Sequence, residues 1–432
     1  MAAPRVPGHR RAGPLANVRV LDLTMVWAGP HGTLMLAALG AEVIKLEAPR
    51  RMDTWRGATR PLPGQGVYPG DVPGERAYNR YAYFNETDRN KLGVSLDLTT
   101  AKGRLIFENL VRLSDVVIEN FRAGVLERLG YPYAALCRLK GDIIYLSMPA
   151  FGNTGPERDY VAIGVAQDQL AGIAYGNGYE GDSPWRTSLN YADPVAGLTA
   201  AGAILAALIH RRRTGRGQFI DLSQREALAC LVGETILDYV MNGRVPRRMG
   251  NHHQRVAPHN TYPSTGEDSW ITIAVTSDKE FAALCSAMGR PELARDPRFG
   301  DMAARKRNEA VLDELIRDWT RRHDATALMR QLQRLDVPAA PVLHGGQLLS
   351  DPHLSERSFF ETVTHPEAGT HPYPGSPFKL SRSPARLNRP APRFGEHTRY
   401  VLGEVLGLGQ DNVEALIAEG VCGPEPVDQQ GM

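Results

Sequence analysis

The sequence predicts an α/β protein: an open, mostly parallel sheet, accompanied by a smaller α+β domain. Three observations carry that expectation. Short apolar runs alternate with segments of helical period through residue 147, Gly and Pro punctuate the joins, and a second set of strand and helix patterns follows the loop-like stretch 243–262. Parallel neighbours need crossover connections, usually helices that cover the sheet faces, so this alternation reads as a parallel sheet.

Residues 18–23 form a short apolar strand pattern, 32–39 a helix of small residues and 42–46 a second strand, together a compact βαβ unit. The pattern repeats with a strand at 94–98, a helix at 102–113 and strands at 116–119 and 143–147. A Gly- and Pro-rich stretch at 57–74 reads as an irregular surface loop. Ligands of such sheets sit beyond the carboxyl ends of the strands. The longest apolar run, 194–209, is broken by Gly197 and Gly202 and is too short to span a bilayer, so a buried helix is expected. Helical period returns at 224–240. Residues 270–275 then alternate like a strand, and 279–288, 308–322 and 326–335 read as the helices of the smaller domain. From residue 341 the chain is rich in proline, with periodic segments only at 400–408 and 412–419.

Composition removes several function classes. Lys plus Arg number 50 against 48 Asp plus Glu, so no single-sign field offers itself to nucleic acid. Cys137, Cys230, Cys285 and Cys422 are widely spaced, without a CxxC pair or clustered histidines for a metal, and reduced thiols in a cytoplasm are the simpler expectation. The first fifteen residues carry Arg5, Arg10 and Arg11 but lack the apolar stretch of a signal peptide. The segment Ala28-Gly29-Pro30-His31-Gly32-Thr33 lacks the GxGxxG spacing of a dinucleotide fold, and Pro30 removes one N–H, which argues against a nicotinamide dehydrogenase.

The most informative segment is Asn190-Tyr191-Ala192-Asp193-Pro194-Val195-Ala196-Gly197, which leads into an Ala- and Leu-rich helix. Its plain reading is a helix start, with Asp193 at the N-cap and Pro194 at the first helical position. Chemistry can coexist with that role. A carboxylate at the positive end of a helix is expected to stay ionised at neutral pH, as a carboxylate nucleophile must.

Beyond these local patterns, the chain resembles the class III CoA-transferases, the family of formyl-CoA and carnitine CoA-transferases. The likeness runs through Val20-Leu21-Asp22-Leu23, Ala28-Gly29-Pro30 and Leu39-Gly40-Ala41-Glu42-Val43-Ile44-Lys45-Leu46-Glu47. It continues through Asn90-Lys91, Leu96-Asp97-Leu98, Glu119-Asn120-Phe121, Arg128-Leu129-Gly130 and Arg213-Thr214-Gly215-Arg216-Gly217-Gln218, then Gly250-Asn251, Ala257-Pro258 and Asp351-Pro352-His353-Leu354. It departs from the family's pattern at Trp27, where the transferases often hold Gln, and at Ala48, where an Arg is common; Arg50 and Arg51 stand nearby.

The resemblance implies a Rossmann-like large domain from residues 1–225 and 336–432, a small domain from 226–335, and an interlocked-ring homodimer. It implies transfer of CoA between an acyl-CoA donor and an organic carboxylate, with Asp193 as nucleophile, coenzyme A as substrate and no prosthetic group or metal. Trp27 and Ala28 would lie near the thioester, Leu96, Asp97, Leu98 and Thr99 by the adenine, and Asn120, Phe121, Arg122 and Arg128 along the nucleotide path, with Phe151 on a further loop. Gly250, Asn251 and His252 would cover the site. Two other readings stand beside it: an α-methylacyl-CoA racemase, which needs a second proton carrier although no histidine occurs between His31 and His210, and a non-catalytic CoA-binding protein.

Overall fold

A computed structural model describes residues 13–59, 61 and 67–427 of the chain. The expectation for the extreme amino terminus therefore lies outside the described residues up to position 12, as does part of the loop expected at 57–74. The chain divides into two compact units. One comprises the described residues up to Ala174, Arg186–Arg244 and those from His353 onward; the other comprises Tyr175–Trp185 and Val245–Pro352.

The first unit is built on six parallel strands, β1 (Arg19–Asp22), β2 (Glu42–Glu47), β3 (Leu92–Ser95), β4 (Val116–Glu119), β5 (Ile144–Ser147) and β6 (Phe219–Asp221). Their order is β3-β2-β1-β4-β5-β6, all neighbours parallel. Strands β1 to β5 are buried along their whole length because helices cover both faces. On one face Val20, Val43, Val116, Ile144 and Leu146 pack with Leu36 of helix α1 (Ala28–Ala38). On the other, Leu21, Ile44 and Val117 pack with Phe107 and Leu110 of α2 (Ala101–Arg112) and with Val401, Leu402 and Val413 from the end of the chain. The carboxyl-terminal residues thus complete the core that the amino-terminal strands begin.

Helix α3 (Gly164–Leu170) and the long helix α4 (Ala192–Thr214) precede β6, and α5 (Gln224–Ala229) and α6 (Gly233–Asn242) follow it. Ala196, Ala200 and Ile204 of α4 join Leu36 and the strand valines in one core cluster, so this apolar helix has a buried face as expected, with Leu198 and Ile209 exposed on its other side. Leu228 of α5 packs on Ala171 and Ala192. That contact keeps α5 in the first unit, and the second begins at Val245 rather than at the expected 226 and runs to Pro352 rather than 335.

The second unit holds an antiparallel sheet of β7 (His259–Pro263), β8 (Trp270–Ala274) and β9 (Ala339–Pro341) in that order. Helices Asp278–Ala287, Glu309–Thr320 and Ala325–Gln333 bury Phe281, Leu284, Ile316 and Leu328 against Ile271 and Ile273, an α+β arrangement. The Pro-rich tail contains a hairpin that the sequence pattern did not predict, β10 (Phe360–His365) with β11 (Gly369–Pro374). In a two-stranded sheet both strands are edges, where Pro372 and Pro374 are tolerated because no second neighbour needs their missing N–H groups.

Candidate active site

Helices α1 and α4 approach closely enough for backbone to touch backbone. A Cβ on Gly32 would lie 2.7 Å from the Gly197 carbonyl oxygen, and one on Gly197 would lie 2.5 Å from the Ala28 carbonyl oxygen. Only glycine at both positions lets the first turn of α4 lie beside the first turn of α1.

That approach sets the surroundings of Asp193. The helix begins at Ala192, one residue before the expected start, so Asp193 is inside the first turn and is not the N-cap; Tyr191 holds that place without a side-chain cap. Asp193 is buried and accepts a hydrogen bond from the Ala28 backbone N–H. Gly164 faces it from α3, where an added Cβ would fall 2.0 Å from Oδ2. Asp168, also on α3, is buried and accepts from the Ala192 N–H at 3.1 Å and from the Thr187 hydroxyl at 2.9 Å.

Burial is the largest influence on the Asp193 acid, the Asp168 charge adds to it and the Ala28 N–H opposes both; the net result pushes its pKa up to about 7. The expected full ionisation at neutral pH is therefore overridden. Removing a carboxylate from water outweighs the partial charge of a helix terminus. A second buried carboxylate, Glu119 at the end of β4, is also raised to about 7, mainly by burial, although the Phe121 N–H at 2.6 Å and the Tyr145 hydroxyl at 3.0 Å donate to it.

The remaining residues named from the sequence fall past the carboxyl ends of neighbouring parallel strands: Trp27 and Ala28 after β1, Leu96 to Thr99 after β3, Asn120 to Arg122 and Arg128 after β4, and Phe151 after β5. Leu96 is buried in the core, and Leu98 and Phe121 pack against it. The Asp97 carboxylate is occupied by the Thr99 N–H at 2.9 Å and the Thr99 hydroxyl at 2.6 Å. Both amide atoms of Asn120 are taken by the backbone of Met25. Arg122 and Arg128 are exposed, and Phe151 sits edge-on to Tyr160 with the Arg225 guanidinium over its ring.

Gly250, Asn251 and His252 belong to the second unit. There His252 Nε2 lies 2.7 Å from the buried Asp313 carboxylate, which also accepts from the Tyr262 hydroxyl at 2.6 Å, and His259 Nδ1 lies 2.8 Å from the Asn251 carbonyl. Sequence reasoning did not single out Gly164 or Asp168, because nothing in the spacing of residues 164–170 ties them to position 193. Among the described residues no group of three or more His, Cys, Asp or Glu side chains is arranged to hold a metal ion.

The family model for CoA-transferase family III matches residues 15–398. Succinyl-CoA–D-citramalate CoA-transferase of Chloroflexus aurantiacus is 35% identical over 96% of this chain and 99% of its own length. Formyl-CoA:oxalate CoA-transferase of Streptomyces avermitilis is 31% identical over 94% of this chain and 99% of its own length. Among solved structures, a CAIB/BAIF family protein from Brucella suis superposes with a TM-score of 0.81 at 31% identity, covering 91% of this chain and all of that one. The chain belongs to CoA-transferase family III.

Proposed function

We propose that this CoA-transferase works through covalent intermediates on Asp193. The observation that carries the reading is a buried carboxylate in the first turn of a long helix, with a backbone N–H donating to it and a glycine packed against Oδ2 where any side chain would collide. The ionised Oδ attacks the thioester carbon, the C–S bond breaks and CoA leaves as a thiolate, giving a mixed anhydride. The thiolate then attacks Cγ of Asp193, the bond from Cγ to the bridging oxygen breaks, and the donor acid departs with that oxygen, leaving an aspartyl-CoA thioester. An acceptor carboxylate attacks Cγ and runs both steps backwards. Anhydride and thioester are similarly activated, so one difficult exchange becomes several nearly level ones. The Ala28 N–H suits the Asp193 oxygen that gains charge when Cγ becomes tetrahedral. Burial of Asp193 limits hydrolysis of either intermediate.

The relatives' names point to small dicarboxylic acids. Besides the D-citramalate enzyme, a succinate–glutarate CoA-transferase of Agrobacterium fabrum is 32% identical over 91% of this chain. We propose a small dicarboxylate pair, with succinyl-CoA the first donor to test. Trp27, Ala28 and the residues that follow β3, β4 and β5 are proposed to border the CoA. The four cysteines are free thiols, which fits a proposed cytoplasmic setting. A homodimer is proposed from the exposed apolar side chains of α4 and α6.

Incubation with succinyl-CoA and a panel of labelled carboxylates should yield labelled acyl-CoA. Asp193→Ala is expected to abolish exchange while CoA still binds in calorimetry. Undiminished turnover in that variant would remove the nucleophile. Deuterium entering the α-carbon without acid exchange would favour a racemase instead.

A further inference from the structure

We infer that Asn120 and Asp53 are positioning residues, which lock the turn between β1 and α1 so that the Ala28 N–H stays aimed at Asp193. The inference rests on Asp193 being the nucleophile. The turn spans Thr24 to Trp27, and side chains from three other elements grip its backbone. Asn120, after β4, accepts from the Met25 N–H and donates to the Met25 carbonyl, both at 2.8 Å, as a paired strand would. Asp53 Oδ1 accepts from the Val26 N–H at 2.8 Å. Lys45 of β2 donates to the Thr24 carbonyl at 2.5 Å, and Asp22 accepts from the Thr24 N–H at 2.9 Å.

The grip is needed because Val26 stands at φ +69°, a left-handed conformation that a β-branched residue rarely adopts. Left to itself, the turn would relax toward negative φ and swing the Trp27–Ala28 peptide. The clamps are themselves buried and braced. Lys45 pairs with Asp53 at 2.6 Å, Lys91 pairs with Asp22 at 3.2 Å and with Asp88 at 2.7 Å, and all five side chains are fully buried. A buried, fully paired ionic cluster yields little net stability but fixes geometry, because each charge left unpaired would be costly. Here the geometry it fixes is that of the N–H opposite the nucleophile.

The test uses the full-length protein and whichever donor–acceptor pair the wild type exchanges fastest, beginning with succinyl-CoA and labelled succinate. Asn120→Ala releases both Met25 bonds; kcat should fall about 100-fold, as for a misplacement near 1 Å, with KM for acyl-CoA nearly unchanged. Asn120→Asp keeps the oxygen that holds the Met25 N–H and should fall in between, and it carries the test should Asn120→Ala not fold. A merely structural role would leave the pH profile in place. Loss of the Ala28 N–H should instead move the acid limb of kcat/KM to higher pH, since the other influences on Asp193, its burial and the Asp168 charge, both favour the protonated form. An unmoved limb, or a raised KM with kcat intact, overturns the inference, the latter returning Asn120 to the CoA path. If Asp193→Ala is inactive while Asn120→Ala matches wild type, only the positioning inference fails; if Asp193→Ala is active, the nucleophile fails first.

Discussion

At Asp193 two demands oppose each other. In the proposed mechanism attack on a thioester needs the ionised carboxylate, whereas protection of an anhydride needs the dry pocket that raises its pKa to about 7 from the ordinary aspartate value of 3.8. The folded state therefore holds its proton more tightly than the unfolded chain. Between these two values the unfolded chain loses its proton first, so this residue's contribution to stability falls as pH rises through the window and levels off above it. Asp193→Asn removes the titration. It should be more stable than wild type by about 2–4 kcal/mol near pH 8 and closely matched near pH 4, as urea melts at the two pH values would show. Wild-type exchange should rise over the same interval with a midpoint near pH 7. The residue was singled out in the sequence by the family resemblance, but its ionisation was not legible there. The helix start suggested a stabilised anion; burial, with Gly164 packed against Oδ2, and the Asp168 charge oppose it, and both residues lie on a short helix that carries no sequence mark.

At the scale of elements, the chemistry depends on how closely α1 and α4 lie. Gly197→Ala would set a methyl group 2.5 Å from the Ala28 carbonyl oxygen and 3.0 Å from the Gly32 nitrogen, both main-chain atoms that cannot rotate away. The helices must part by several tenths of an ångström. Overpacking of this kind costs about 1–3 kcal/mol. Because the shift falls on the residue whose N–H meets Asp193, kcat should drop by more than the lost stability explains, with a thermal melt and an exchange assay separating the two effects. Strands β1, β2, β4 and β5 were legible within two residues, because parallel strands buried on both faces are nearly continuous apolar runs. Strand β6, Phe219–Asp221, was not: three residues at the sheet edge, mostly exposed, leave no apolar period. The β10–β11 hairpin was hidden by its own prolines, which the edge of a two-stranded sheet tolerates.

At the scale of the molecule, burial within one chain leaves an imbalance. The sequence foretold the α/β class and a smaller α+β unit, but not their boundaries, since whether α5 belongs to one or the other is decided by Leu228 packing on Ala171 and Ala192, a contact between distant segments. On α6, Leu237, Val240 and Met241 are 59%, 73% and 76% exposed, and on α4 Leu198 and Ile209 are 54% and 55% exposed. Soluble monomers seldom leave large apolar side chains this open on neighbouring stretches of chain, and the proposed homodimer would cover them. Wild-type protein should therefore sediment at twice 47.4 kDa and hold that mass on dilution. Val240→Glu combined with Met241→Glu places two charges where the interface is expected to be apolar, and isolated buried carboxylates are costly, so this variant should shift toward monomer. Since α4 carries Asp193 near its start, exchange activity should fall with the dimer fraction. A wild-type profile at 47.4 kDa, or a double variant that keeps its mass and activity, would show that these side chains serve another purpose.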